Sequence, residues 1–282
     1  VIPVVASIGG SDPSGGAGIQ ADLKTFGALG AYGCAVLTSL TAQSTQGVTG
    51  VHPVPAEFVE DQVRTLVADI TLHATKIGML GTATVAATVG ALCRQGVLPQ
   101  VVLDPVMVST AGSRLLDRDA VDQVRGMLAH VALVTPNLAE AAVLLGLDPA
   151  EQAQDLATMK EHARRLQDLG ARRVLLKGGH LDGDTSSDIW GDATGVRVLA
   201  GRRVRTRHTH GTGCSLSSAI VALRPRLPDW ASAVVGAKEW LTGALAHADE
   251  LRVGHGPGPV HHFWRQGAAG TGSTESSHVS WA

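Results

Sequence analysis

The stretch Pro3-Val4-Val5-Ala6-Ser7-Ile8-Gly9-Gly10, then Ser11-Asp12-Pro13-Ser14-Gly15-Gly16-Ala17-Gly18, then Ile19-Gln20-Ala21-Asp22-Leu23-Lys24-Thr25-Phe26-Gly27-Ala28-Leu29-Gly30 carries the fold in miniature. A short apolar run stops at two glycines and reads as a buried strand. A polar, glycine-rich loop follows. Ile19, Leu23, Phe26 and Leu29 then recur at helical spacing, with Gly30 placed as a C-cap. Strand, glycine loop and helix is the geometry of phosphate-binding α/β folds. The loop lacks the Gly-Lys-Ser/Thr of a P-loop, and its glycines miss the dinucleotide fingerprint, so it must serve a ligand in another way.

The same alternation runs on. Strands are expected at 33–43, 48–54, 74–77, 100–103, 131–134 and 174–177, and helices at 55–70, 82–95, 117–128, from 139, 155–169 and 230–249. Residues 187–205 differ, with glycine turns and period-two alternation that read as a β-hairpin pair. No repeat or linker divides the chain, so residues 1–266 are expected to form a single domain, and the Gly/Ser/Thr-rich 267–282 a disordered tail. Strands alternating with helices imply an α/β fold with a mainly parallel sheet flanked by helices. Ligands bind beyond the carboxyl ends of such strands. Gly9-Gly10, Gln43, Gly78-Met79, Asp104, Asn137 and Lys177-Gly178-Gly179 all fall at such ends.

Composition narrows the class. The 282 residues are 44% hydrophobic but only 3% aromatic, so Val, Leu, Ile and Ala must fill the core. A net charge of -2 gives no reason to expect nucleic acid or an acidic membrane as partner. Twelve histidines show no zinc spacing. Cys34, Cys93 and Cys214 are odd in number and far apart, which suits a reducing cytoplasm. No apolar run is long enough for a membrane span, and a cytoplasmic protein is expected.

A second stretch, Thr209-His210-Gly211-Thr212-Gly213-Cys214-Ser215-Leu216, reads as a tight turn entering a helix. Backbone N–H groups there lack intrahelical partners and attract anions. A cysteine in a first helical turn is biased toward thiolate. Asp104 could hold Mg²⁺ through water or merely cap the next loop. Asn137 and Glu140 have the spacing of a capping box, and Glu140 could also organise a metal. Lys177 suits a polyphosphate as a point charge or is a solvated strand-end lysine. Together these outline phosphoryl transfer, with Cys214 where a base is needed. A Cys-His hydrolase using His210 is disfavoured, since nothing brings its ring to the sulfur. Gln43 and Asp22 suit a flat, amino-bearing nitrogen heterocycle between Met79 and Val106, or are a surface amide, a helix-surface carboxylate and core residues.

The chain also resembles a known family. Residues 10–25, Lys76-Ile77-Gly78-Met79-Leu80, Thr135-Pro136-Asn137-Leu138, Lys177-Gly178-Gly179-His180, Thr209 to Cys214, and Val253-Gly254-His255-Gly256-Pro257-Gly258-Pro259-Val260-His261-His262-Phe263 resemble the hydroxymethylpyrimidine/phosphomethylpyrimidine kinases of thiamine biosynthesis. The likeness runs in order from Val4 to Trp264. It implies a ribokinase-like three-layer sandwich, a homodimer, and two ATP-dependent phosphorylations, of 4-amino-5-hydroxymethyl-2-methylpyrimidine and then of its monophosphate. It implies that Gln43 holds the pyrimidine, with Gly10, Ala17, Met79 and Val106 lining the pocket and Asp22 nearby. Asp104 and Glu140 would organise Mg²⁺. Lys177, Thr209 and Asn137 would meet ATP. The Gly211-Thr212-Gly213 backbone would form the anion hole, with Cys214 where relatives on this fold often carry an aspartate base. Ser113 departs from the aspartate frequent in this family. The rivals are a pyridoxal or pyridoxine kinase of the same fold and a catalytically silent binding protein.

Overall fold

Strand β1 (Val4–Gly10) is an interior strand of the sheet, third from one edge. In the computed structural model, which describes residues 1–107, 119–179, 185–267 and 279–281, it is followed by helix α1 (Gly18–Ala28) and strand β2 (Tyr32–Ser44). Strand β3 (Gly47–Pro53) turns back antiparallel to β2 and ends the sheet on that side. Then come α2 (Ala56–Asp69), β4 (Ala74–Ile77), α3 (Ala83–Arg94), β5 (Val101–Leu103), α4 (Ala120–Met127), β6 (Leu133–Val134), α5 (Leu138–Leu144), α6 (Leu156–Asp168) and β7 (Val174–Leu176). Strands β8 (Asp188–Asp192) and β9 (Gly195–Ala200) form a hairpin, followed by α7 (Thr212–Leu223), α8 (Trp230–Ala246), the short α9 (Trp264–Gly267) and β10 (Ser280–Trp281). The sheet order is β10-β9-β8-β7-β6-β5-β4-β1-β2-β3, parallel from β7 through β2.

Period-two alternation along the strands sorts their side chains onto two faces. Ile8, Ile77, Leu103, Val134 and Leu176 pack with α2 to α6, while Val5, Ala74, Val102, Leu133 and Leu175 pack with α1, α7 and α8. Both faces are covered, as a parallel sheet requires. Several helices start where short polar residues cap them. Thr82, Asp155 and Asp229 accept from Val85 N, Thr158 N and Ser232 N. From β1 the chain reaches β2 on one side and later β4 on the other. The connections diverge there and open a crevice beyond Gly10 and Ile77.

Two expectations change. Residues 187–205 give a single hairpin, β8–β9, which extends the parallel sheet with antiparallel strands. The end of the presumed disordered tail is a strand: Ser280 and Trp281 pair with Ala200 and Leu199. The tail's lone tryptophan supplies the anchor, with the Arg197 guanidinium 4.5 Å from its ring centroid and Trp190 packed beside it at 6.2 Å. The helix expected from Asp117 begins at Ala120 within the described residues, and Ser113, His180 and most of the 267–282 tail lie outside them.

Beneath the crevice, one buried ion pair ties four elements together. Lys76 Nζ on β4 lies 2.8 Å from both carboxylate oxygens of Asp22 on α1. Ser7 Oγ on β1 donates to Asp22 Oδ2 and Ser218 Oγ on α7 donates to Oδ1, each at 2.6 Å. Burial pulls the Lys76 ammonium toward the neutral form, but the Asp22 carboxylate outweighs it and holds Lys76 above its ordinary range. Removing one partner strands the other charge in the interior. Lys76→Met should therefore lower unfolding free energy in urea by about 3–5 kcal/mol, and adding Asp22→Leu should restore most of the loss.

Candidate active site

The crevice is a cleft of about 610 Å³ running from Gln43 and Met79 at one end to Leu241 and Leu245 at the other. Helix α7 points its N-terminus into the middle. Gly211 is its N-cap, with φ +75°, and an added Cβ would run into the carbonyl of Gly16. Only glycine permits both the left-handed turn and this closeness to the glycine loop. No side chain caps the helix, so the N–H groups of Gly213 and Cys214 lack intrahelical acceptors and lie beside the cleft. The Thr209 carbonyl accepts from Thr212 Oγ1 at 2.6 Å, which keeps the turn tight while the Thr209 side chain stays exposed at the cleft.

Opposite this N-terminus stands a charged group built from strand ends. Asp104, just past β5, is 1% exposed, with Oδ1 2.8 Å from Lys177 Nζ and 3.3 Å from Thr135 Oγ1. Ser217 Oγ on α7 reaches Oδ2 at 3.3 Å. Burial favours the neutral Asp104 acid, but Lys177 and Lys76 outweigh it and hold the carboxyl below its usual range. Lys177 is also largely buried, 3.9 Å from Glu140 Oε2, and these two carboxylates hold its ammonium above the ordinary value against the pull of burial. Lys177 is thus no solvated strand-end lysine. The Asn137–Glu140 capping box is made in full, with Asn137 Oδ1 accepting from Glu140 N and Glu140 Oε2 accepting from Asn137 N, both 2.8 Å. The box does not exclude Glu140 from the site, since it too lines the cleft. Burial, reinforced by the Asp104 charge, pushes Glu140 up to about 7 even though Lys177 opposes it.

Cys214 departs from expectation. It sits in the first turn of α7, where a thiolate was expected, yet burial pushes its thiol up to about 11. Lys76 pulls the other way, but Asp22 and Asp104 nearby disfavour a further negative charge. The helix dipole and one lysine do not offset burial among carboxylates. At neutral pH the group is a thiol.

Gly10, Ala17, Gln43, Met79 and Val106 line one end of the cleft together. Asp22 borders them from below, but its oxygens are already taken by Lys76, Ser7 and Ser218, so it is neither a helix-surface carboxylate nor a free acceptor. From the sequence, His210 is legible only as a hydrolase partner of Cys214; its contact with Asp12 and the apolar wall at the far end are not. His210 Nε2 lies 2.9 Å from Asp12 Oδ2 inside the cleft. At the far end, Leu216, Leu241 and Leu245 offer an apolar wall beside the buried Lys238–Asp188 ion pair. A histidine one residue before the glycine turn was the available signal for the first. Nothing in the helical pattern of 230–249 separates cleft-facing leucines from core.

The glycines of Val253–Pro259 are explained by close approach. Side chains at Gly254 and Gly256 would collide with Thr45 at the β2–β3 turn, and one at Gly258 with the His208 ring. Gly256 N donates to Thr45 Oγ1 (3.1 Å), Gly258 N to His208 Nδ1 (2.9 Å), and His210 N to Gly258 O (3.1 Å). This segment clasps the β2–β3 turn to the approach of α7.

A family model described as phosphomethylpyrimidine kinase matches residues 12–261. The hydroxymethylpyrimidine/phosphomethylpyrimidine kinase of Escherichia coli (strain K12) is 48% identical over 258 residues, 91% of this chain and 96% of that one. The chain belongs to the phosphomethylpyrimidine kinase family. Among solved structures, the pyridoxal kinase of Staphylococcus aureus in complex with AMP-PCP and pyridoxal has a TM-score of 0.87 at 30% identity, covering 100% of this chain and 99% of that one. The phosphomethylpyrimidine kinase of Clostridium difficile 630 has a TM-score of 0.74 at 34% identity, over 87% of this chain and all of that one. The fold is ribokinase-like, and the chain is a kinase of this family. Iodoacetamide labelling of Cys214, followed by mass spectrometry, should stay slow through pH 9 and accelerate toward pH 11 as the thiolate forms.

Proposed function

We propose that this one cleft performs both family reactions with a shared set of groups. The chain phosphorylates 4-amino-5-hydroxymethyl-2-methylpyrimidine to its monophosphate and the monophosphate to the diphosphate, in thiamine diphosphate biosynthesis. The observation that carries the shared-site reading is the α7 N-terminus facing Lys177, whose Nζ comes within 3.2 Å of where a Gly213 side chain would begin. Backbone N–H groups on one side and an ammonium on the other form a slot for a transferring phosphoryl group.

In this reading Gln43 holds the pyrimidine edge, and Gly10, Ala17, Met79 and Val106 form the walls. ATP enters from the Leu241 and Leu245 end, with its phosphates toward Lys177, Thr209 and Asn137. Asp22 touches no substrate and instead positions Lys76. Asp104 and Glu140 fit Mg²⁺ as hard oxygen donors. They are two buried carboxylates facing one lysine, and burial together with the Asp104 charge raises Glu140 to about 7. Among the described residues no cluster of three ligands is present, so water and phosphate oxygens would complete the shell. When bound, Mg²⁺ would neutralise charge on the phosphate oxygens. Residues 1–266 act as one kinase domain, in a cytoplasmic homodimer. The free state of Cys34, Cys93 and Cys214 supports the compartment. The exposed Leu40 and Val51 near the open edge of β3 support the dimer.

Cys214 accepts a hydrogen bond from the acceptor hydroxyl and positions it, since a protonated thiol takes up no proton beforehand. In a loose phosphoryl-transfer transition state the hydroxyl proton departs late and passes to an oxygen of the phosphoryl group being transferred. The second acceptor is a phosphate already ionised at neutral pH and needs no base. Cys214→Ala, which removes the acceptor, should therefore slow the first phosphorylation about tenfold or more and leave the second within about twofold. Equal rates for both reactions in the variant and the parent would remove the cysteine from the mechanism.

The pyridoxal kinase reading has one observation in its favour, the 0.87 TM-score over the whole chain. The 48% identity to the pyrimidine kinase of E. coli outweighs it. A coupled ATPase assay comparing hydroxymethylpyrimidine, its monophosphate and pyridoxal should show turnover of both pyrimidines. Turnover of pyridoxal alone would overturn the reading.

A further inference from the structure

Three side chains meet at the Gln43 end of the cleft in a way that none of the roles above explains. His210 is 7% exposed. Its Nε2 lies 2.9 Å from Asp12 Oδ2 and 3.5 Å from the terminal amide nitrogen of Gln43. Asp12 is 1% exposed, with Oδ1 accepting from Ser14 N at 2.9 Å and Oδ2 from Ala17 N at 2.8 Å. An ionised carboxylate only accepts, so the proton in the Asp12 contact belongs to His210 Nε2. That holds whether the imidazole is neutral or charged.

An N–H at this position cannot receive a hydrogen bond from an amide NH₂. The other side of Gln43 has the matching problem. Thr41 Oγ1 donates to Ser11 O at 2.8 Å, and its single proton is spent there, yet Gln43 Oε1 lies 3.3 Å away as a second acceptor. A half-turn of the amide, which exchanges two atoms of nearly equal shape, repairs both contacts at once. The oxygen then lies 3.5 Å from the His210 Nε2–H as a second, longer acceptor beside Asp12 Oδ2, and the nitrogen donates to Thr41 Oγ1.

We infer that Asp12, acting through His210, sets the polarity of the Gln43 amide, and so makes this end of the cleft selective for a ring that carries an amino group beside a ring nitrogen. The inference rests on the reading of Gln43 as the residue that holds the pyrimidine. With its polarity set, the amide keeps one lone pair on oxygen for an exocyclic amino hydrogen and one N–H for the neighbouring ring nitrogen. Glutamine pairs with an aminopurine edge in the same two-bond manner. A 4-oxo ring offers the reverse pattern, oxygen beside N–H, and meets like against like. Asp12 and His210 are thus positioning residues, and their effect falls on which ring is chosen.

The test uses the full chain and the ratio of kcat/KM for 4-amino-5-hydroxymethyl-2-methylpyrimidine over its 4-oxo counterpart. The parent chain should favour the amino compound by on the order of 10²-fold or more. Asp12→Asn can accept from or donate to His210, so the polarity is released. The ratio should shrink about tenfold, with the KM for ATP within about twofold. A folded Asp12→Asn variant with an unchanged ratio would overturn the relay while leaving the kinase reading intact. A parent chain that phosphorylates neither pyrimidine would overturn the kinase reading and the relay with it. An ¹⁵N imidazole spectrum of the parent chain, assigned by loss of the signal in His210→Gln, gives a reading independent of whether Asp12→Asn folds. A proton on Nε2 is expected, and a proton on Nδ1 alone would overturn the relay.

Discussion

The buried Asp22–Lys76 pair is the constraint on which the rest of the cleft depends. Two charges withdrawn from water are costly unless every lone pair and proton is used. Here they are used by four different elements: Asp22 from α1, Lys76 from β4, Ser7 from β1 and Ser218 from α7. The hydrophobic faces of α1 and α7 would tolerate some sliding over the sheet. A directional ion pair with two hydroxyl donors does not, and it sets where the N-terminus of α7 stops.

Helix α7 shows the same logic along its length. It is apolar nearly all round, buried in the core that it shares with α1 and α8. Three serines interrupt it. Ser218 goes to Asp22, Ser217 reaches Asp104, and Ser215 pairs with His262 at 3.0 Å. Each hydroxyl is small enough to keep the packing and polar enough to fix a register. The N-terminus of the helix, with its unsatisfied N–H groups, is thereby pinned to the acid facing it, so these groups and the Asp104–Lys177 pair hold a common frame. Preorganised dipoles of this kind need no rearrangement when charge develops.

Much of this architecture was legible in the residues, and the parts that were not have physical reasons. Short runs ended by glycine located β1 and β4 within a few residues, because the glycines at their carboxyl ends mark where the buried strands stop. The convergence of Gly10, Gln43, Asp104, Asn137 and Lys177 followed from strand ends in a parallel sheet. The partner of Asp22 did not, since 54 residues separate it from Lys76 and no local pattern marks a charge as buried. The thiolate expected at Cys214 assumed an open helix end; surrounding carboxylates and burial reverse it. Trp281 was lost in a compositionally weak tail because its anchor, the β9 edge, is a product of the tertiary fold.

The clasp of residues 253–259 over Thr45 has a consequence for how such a chain comes off the ribosome. Its contact with Thr45 spans 211 residues, Asp12 meets His210 across 198, and Asp22 meets Ser218 across 196. The amino-terminal strands can pair early, but the walls of the cleft wait for the last helices. Loop closure over such lengths is slow compared with local helix formation. Until those helices dock, the glycine loop lacks its contacts with His210 and Gly211, and the β2–β3 turn lacks its clasp. The cleft is thus complete only once the final quarter of the chain has docked.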